Sequence, residues 1–382
     1  MSTAPPFRFA RPVFKTKSAE PARQGSLDRI TDIYFHEPIR GGGVAEGLEA
    51  GGAGAYGFAG KSTPIRFKGT EMEAWVDSVA AIVAAEFPEE EDFRIQVDGV
   101  SWRCCRDTSE LSSEVSMRQI PSTLPMLSEL NTDNAALISL LQHPFLNDGG
   151  LVLVSGLNGS GKTTLCGSFL KTRLERYGGR CVSVEDPKEL PMEGFMGAGV
   201  VRQMEVRYGD DVDPHRRGFP GALRRAYRKF PAARPIILYV GEVRDEETAV
   251  EVLKAGSNGM LVITTVHAES CLAAIERMTA LAAIRLGSGV NSMMASALRL
   301  SVHSTLEWIE GGSGEAKFKR ARSHLEALFS SGPVHAAAAM IRGNQFHQLN
   351  QVLEKQSTIL SQASKSGMPA NAVFQQLGGK LA

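Results

Sequence analysis

Residues Leu151–Leu174 read LVLVSGLNGSGKTTLCGSFLKTRL, and within them Gly156–Thr163 (GLNGSGKT) matches G-x-x-x-x-G-K-[ST] in full. The run Leu151–Val154 is apolar and β-prone, as a strand buried on both faces should be. The residues after Thr163 carry apolar side chains at helical spacing. Strand, Gly-rich loop and helix in that order are the context a phosphate-binding loop requires. Its glycines let backbone N–H groups turn toward phosphate oxygens, and the helix N-terminus adds favourable partial charge. The expected nucleotide contacts are Gly156, Asn158, Gly159, Ser160, Gly161, Lys162, Thr163 and Thr164. Lys162 should reach the β- and γ-phosphates, and the Thr163 hydroxyl should ligate Mg²⁺.

Composition narrows the class. The 382 residues suffice for two or three domains, and 43% apolar content is ordinary for a globular chain. Formal net charge is zero, which disfavours nucleic acid as a direct ligand while leaving local basic patches open. The sequence has no apolar run of membrane-spanning length, and its N-terminus lacks the apolar core of a secretory signal. The five cysteines are scattered and include no C-x-x-C pair, so reduced thiols in a cytoplasmic protein are expected.

Residues 1–26 are Pro-rich and basic, with five Lys/Arg against one Glu, and read as a disordered tail. Residues 27–120 should form a small α+β domain. LDRITDIYFHEP suggests a short helix leading into a strand, and the glycine-dense stretch after it suggests loops and hairpins. Met72–Phe87 has helical periodicity and stops at Pro88, while Asp92–Arg106 alternates around the hairpin signal Asp98-Gly99. Residues 121–137 read as a linker. Over residues 138–310 the strand candidates LVLVSG, CVSVED, VVRQMEV, IILYVGE and MLVITTVH alternate with helices, the pattern of a doubly wound parallel sheet. Residues 311–382, including FKRARSHLEALF, read as a helical C-terminal subdomain.

Three strand ends supply candidate chemistry, because ligands sit at the carboxyl ends of strands in such sheets. IILYVGE ends in Glu242, whose carboxylate could hold a metal-bound water or accept a proton from attacking water. VSVEDP ends in Glu185 and Asp186, which could orient Mg²⁺ or the water. LVITTVH ends in His267, which could hydrogen-bond a phosphate oxygen.

In order, GLNGSGKT, VSVEDP, IILYVGEVRDEET and GMLVITTVHAES resemble the secretion-motor ATPase superfamily of type II secretion, PilT-like type IV pili and type IV secretion. There the corresponding parts are the Walker A loop, the Asp box, the Walker B segment and the His box. The resemblance covers roughly residues 93–300 and extends to SMRQIPSTLPMLSELN, which is similar to the family's interdomain connection. It implies a PAS-like N-terminal domain joined to a RecA-like P-loop NTPase domain. It also implies a homohexamer that hydrolyses ATP with Mg²⁺ at the cytoplasmic, inner-membrane base of a larger machine.

By position, Glu242 becomes the catalytic glutamate, Glu185 and Asp186 the Asp-box acids, with Asp186 near the metal, and His267 the His-box residue. Arg94 and Arg118 lie where family members carry arginines that complete a neighbour's site, although each also fits a surface strand arginine. The sequence departs from the family in three places. Gln203-Met204-Glu205 replaces the usual Gln-Arg-Glu, the segment before Glu242 lacks an acidic Asp-Pro, and the zinc-binding cysteines of type II motors are absent. In texture the chain is closest to type IVB secretion and IncI-like conjugation motors, with a pilus retraction motor as the alternative. A RecA-like nucleic-acid translocase, a P-loop kinase and a non-hydrolysing scaffold are the rival classes.

Overall fold

The structure is a computed structural model. It describes residues 14–16, 30–38, 49–58, 64–109, 113–208, 217–232, 235–311 and 318–380. The chain divides into two compact units, Met1–Thr123 and Leu124–Ala382.

The first unit is built on a seven-stranded sheet, in the order β1-β5-β6-β7-β2-β3-β4. Its strands are β1 (Phe14–Thr16), β2 (Asp32–Glu37), β3 (Tyr56–Phe58), β4 (Ile65–Arg66), β5 (Asp92–Val97), β6 (Val100–Thr108) and β7 (Ser113–Ile120). The Asp98-Gly99 hairpin forms as expected, with both residues at positive φ. The helix Glu71–Glu86 starts at Thr70, whose hydroxyl accepts the Met72 N–H. Its buried side chains Trp75, Val76, Val79 and Val83 pack on Ile33, Ile95, Trp102 and Met117 of the sheet. Full burial of an aliphatic side chain contributes about 1.5–3 kcal/mol, so Val76, Val79 and Val83 each add on that order. Residues 1–26 do not all form a tail, because Phe14–Thr16 pairs parallel with Ile95–Val97 at the sheet edge. The helix expected just before β2 falls largely on residues 27–29, outside the described residues.

The second unit carries an eight-stranded sheet, in the order β10-β11-β9-β12-β13-β8-β14-β15. Its strands are β8 (Gly150–Ser155), β9 (Gly179–Glu185), β10 (Gly194–Met196), β11 (Gly199–Glu205), β12 (Ile236–Val240), β13 (Leu261–Val266), β14 (Leu298–Gly311) and β15 (Phe318–Phe329). The six inner strands run parallel, and β10 and β15 close the two edges antiparallel. Every residue of β8 and of β13 is buried, as continuous apolar runs between two helical layers require. One face packs on the helices Gly218–Tyr227, Glu246–Ser257, Cys271–Leu286 and Val290–Ala297. The other packs on Ala135–Leu141 and Lys162–Tyr177.

Two readings are corrected at the C-terminus. FKRARSHLEALF is the strand β15, not a helix. Its buried Leu325, Ala327 and Phe329 lie on one face, with Leu328 buried on the other beside the exposed Glu326, and the strand pairs with β14 from Leu300↔Phe329 to Gly311↔Phe318. The helices that follow are not a separate body. Leu349 and Leu353 join the core on one face of the sheet, while Leu360, Val373 and Phe374 join the core on the other. The stretch read as a linker also contributes core, since Leu124 and Leu127 are buried in the second unit.

Candidate functional site

β8 delivers the chain to Gly156 at the carboxyl edge of the sheet. Gly156 has φ 148°, and a Cβ there would lie 2.3 Å from Ser160 Oγ and 2.4 Å from Ser304 O, so only glycine fits. Gly161, at φ 84°, turns the loop into the helix Lys162–Tyr177, whose first backbone bond runs from Leu165 N–H to Gly161 O. The amides of Lys162, Thr163 and Thr164 therefore have no partner within the helix. Ser160 Oγ is buried without a hydrogen-bond partner. Lys162 is buried and donates from Nζ to Gly156 O at 2.9 Å and Leu157 O at 2.8 Å. Burial lowers its pKa, with Glu242 pulling the other way. Asn158 and Gly159 are exposed, and Thr163 and Thr164 half-buried.

The loop is braced by β14. Beyond the pair Ser155↔His303, β14 outruns β8 and continues with β15 as a two-stranded ribbon. Ser304 Oγ donates to Ser160 O at 2.7 Å, and Leu306 lies against Gly161. His303 Nδ1 sits 3.1 Å from Ser155 Oγ, and burial followed by the nearby Lys162 charge lowers its pKa. On the ribbon's other strand, Ser323 donates its N–H to Asn131 O at 2.8 Å, and Asn131 Nδ2 donates to Ala321 O at 3.0 Å. His324 there lies between Asp133 (2.6 Å) and Glu307 (3.0 Å).

The neighbouring strand ends converge on the same edge. Glu242 follows β12 by two residues, and its Oε2 accepts from Arg244 Nε at 2.9 Å and Arg244 Nη2 at 2.8 Å. Its Oε1 lies 3.3 Å from Nε2 of His267, which follows β13 directly. The two turns are stitched by Thr265 Oγ1 donating to Gly241 O and Val243 N–H donating to Thr265 O. Burial lowers the His267 pKa, the Lys162 charge lowers it further, and Glu242 opposes both. The hydrogen bond to Glu242, and to a smaller degree the Asp186 charge, raise the Arg244 pKa, and Asp186 also bonds the Tyr208 side chain. Lys162, Asp186, Glu242, Arg244 and His267 thus form one electrostatic group.

Glu185 differs from its expected placement. It is 2% exposed, and its Oε1 accepts from Ser183 Oγ at 2.6 Å and Gln203 Nε2 at 2.9 Å. Burial raises its pKa against those two bonds. Gln203 uses its whole amide, because Oε1 also accepts the N–H groups of Met192 and Glu193 while Nε2 donates to Leu190 O. Gln203, Arg244, His303 and Ser304 were missed as site residues. Only the position of Gln203 after the Asp box carried a signal.

Arg94 and Arg118 lie in the first unit. The register Arg94↔Arg103↔Arg118↔Asp32 runs across β5, β6, β7 and β2, adding Arg103 to the two arginines expected. Arg118 Nε donates to Asp32 Oδ1 at 2.7 Å.

Residues 72–358 match the family described as Type II/IV secretion system protein. The chain belongs to that family. This member is 29% identical over 237 residues to a twitching motility protein of Neisseria gonorrhoeae, covering 62% of this chain and 56% of the relative. It therefore spans little more than half of that relative's length. In fold it is similar to the crystal structure of the pilus retraction motor PilT with bound ADP. That likeness has a TM-score of 0.60 at 22% identity and covers 92% of this chain and 95% of the other. It is also similar to the Legionella pneumophila ATPase DotB, with a TM-score of 0.62 at 19% identity and 92% of each chain covered. The family member's fold is accordingly a RecA-like P-loop NTPase unit with a smaller α+β unit before it. Among the described residues no helix is long and apolar enough to cross a membrane.

Proposed function

We propose that this chain is a motor ATPase that hydrolyses ATP to ADP and phosphate in a type IV, IVB-like, secretion or conjugation machine or a type IV pilus. The Glu242–His267 pair, facing the same edge as Lys162, carries this reading. The loop fits a nucleotide tail. It offers a buried ammonium, an orphaned Ser160 hydroxyl and a helix start with free amides. The amides and Lys162 bind the phosphates, and Lys162 exchanges its two carbonyl partners for phosphate oxygens.

Thr163 stands in the first turn of the helix after the loop, and Asp186 interacts with Arg244 and Tyr208 at the same edge. Thr163 and Asp186 would hold Mg²⁺, with phosphate and water supplying the remaining ligands. When bound, Mg²⁺ neutralises charge across the β- and γ-phosphates. Glu242 Oε1 takes the proton of the attacking water, while Arg244 fixes the other oxygen. His267 donates to the γ-phosphate or to Glu242. Glu185 is the buried anchor of the Asp box, holding Asp186 at the edge.

The chain acts as a cytoplasmic homohexamer docked on inner-membrane components. Arg94 and Arg118, with Arg103 in the same row, spread positive charge over a neighbouring subunit's γ-phosphate. A pilus retraction motor is the second reading, supported by the likeness to PilT and to the gonococcal twitching motility protein.

The deciding experiment is Glu242→Gln. It should retain ATP binding and turn over at least about tenfold more slowly, the usual worth of a positioned acid–base group. An unchanged kcat would refute the assignment.

A further inference from the structure

The ribbon of β14 and β15 presents a row of side chains on the face that braces the loop. Successive residues of a strand point to opposite sides, so Ser304, Leu306 and Trp308 share one face. Ser304 holds Ser160 O, and Leu306 covers Gly161. Trp308 is next, about 7 Å further along at the usual strand rise, beyond the phosphate-binding turn. It is 44% exposed, whereas the chain's two other tryptophans, Trp75 and Trp102, are 0% exposed. Its cross-strand partner is Ala321, too small to cover an indole. An exposed tryptophan beside a phosphate site offers a π-face where the rest of a nucleotide must lie, since base and ribose extend outward from phosphates fixed at the loop.

We infer that Trp308 is the stacking platform for the purine base of the bound nucleotide, a specificity-determining contact that reaches beyond the phosphate loop. The inference rests on the nucleotide-site reading above. The opposite face of the ribbon pairs Glu307 with Arg322 and Thr305 with His324 and exposes Ile309, which has no π-face for a base.

The test uses the full chain with Mg²⁺ and two probes, ATP and inorganic triphosphate, which lacks a base. Trp75 and Trp102 also emit, so the Trp308 signal is taken as the difference between the parent and Trp308→Phe. ATP should quench it, and triphosphate should not. Trp308→Ala should weaken ATP binding about tenfold or more, given the usual strength of base–aromatic stacking, and leave triphosphate binding unchanged. Trp308→Phe, which keeps the platform and the packing, should bind ATP close to the parent level. Equal ATP affinity in Trp308→Ala and the parent, with triphosphate still bound, overturns this inference alone. So does emission that follows protein concentration but not nucleotide, the result expected if a second copy covers Trp308. Failure of the parent chain to bind either probe overturns the nucleotide site and this inference together.

Discussion

Glu242 Oε1 and His267 Nε2 lie 3.3 Å apart at the ends of adjacent parallel strands. The pairing follows from the strand register. β12 and β13 are aligned, and each chain leaves the sheet at the same carboxyl edge from which β8 enters the phosphate loop. Burial and Lys162 both hold His267 below its ordinary pKa, so it is neutral at pH 7 and can donate one N–H toward Glu242. A proton titration of the His267 ring should give a midpoint below 6.5 in the nucleotide-free protein.

Lys162→Ala should abolish nucleotide binding or turnover without unfolding the second unit. The lost side chain makes two hydrogen bonds within its own loop, and no core contact depends on its charge. Calorimetric titration with ATP, alongside a thermal melt, separates loss of the ligand site from loss of the fold. Normal hydrolysis by this variant would remove Gly156–Thr163 from the mechanism.

Gln203→Ala should destabilise the second unit by about 2–3 kcal/mol, the usual cost of leaving buried polar groups unpaired. It strips a donor from the buried Glu185 carboxylate and an acceptor from two backbone amides. Urea denaturation measures the loss. Gln203→Glu should be worse, since it sets a second carboxyl against Glu185.

Acid should weaken the fold through three histidines. Burial lowers the pKa of His143, His267 and His303. Their contribution is complete above the unfolded value, about 6.5, and is lost as pH falls toward the folded values. His324 works in the opposite sense. Hydrogen bonds to Asp133 and then Glu307 raise its pKa, so its stabilisation is full below about 6.5 and fades as pH rises through the folded value. The melting-temperature gap between the parent and His324→Gln should therefore be wider at pH 6 than at pH 9.

If Arg94 or Arg118 serves a neighbouring subunit, either Arg→Ala protein should regain activity when mixed with Lys162→Ala protein. Some interfaces in the mixed ring would then combine an intact loop with an intact arginine. ATPase assays across mixing ratios would show a maximum, and a flat response would exclude a shared site.

The phosphate loop was legible because its meaning is local. Eight consecutive residues, a preceding apolar strand and a following helix define it. Glu242 and His267 were legible for a similar reason, each ending an apolar run. Ser304 was not, because its hydrogen bond to Ser160 spans 144 residues and depends on how β14 registers beside β8. β15 was misread because FKRARSH has the charge density of a solvated helix face, and only its pairing with β14 sets its conformation. Trp308 carried no signal in sequence, since an isolated aromatic reads equally as core.

The ribbon that braces the loop also grips Asn131, at the start of the second unit's chain path. Ser160 is bonded to one of its strands and Asn131 to the other, with the β14–β15 ladder between them. A displacement of the phosphate loop must either break the Ser304 bond or drag the ribbon, and a dragged ribbon pulls on Asn131. Ser160 and Asn131 are thus joined by hydrogen bonds that run through the β14–β15 ladder, and the Ser304 hydroxyl is the point where that chain of bonds reaches the loop.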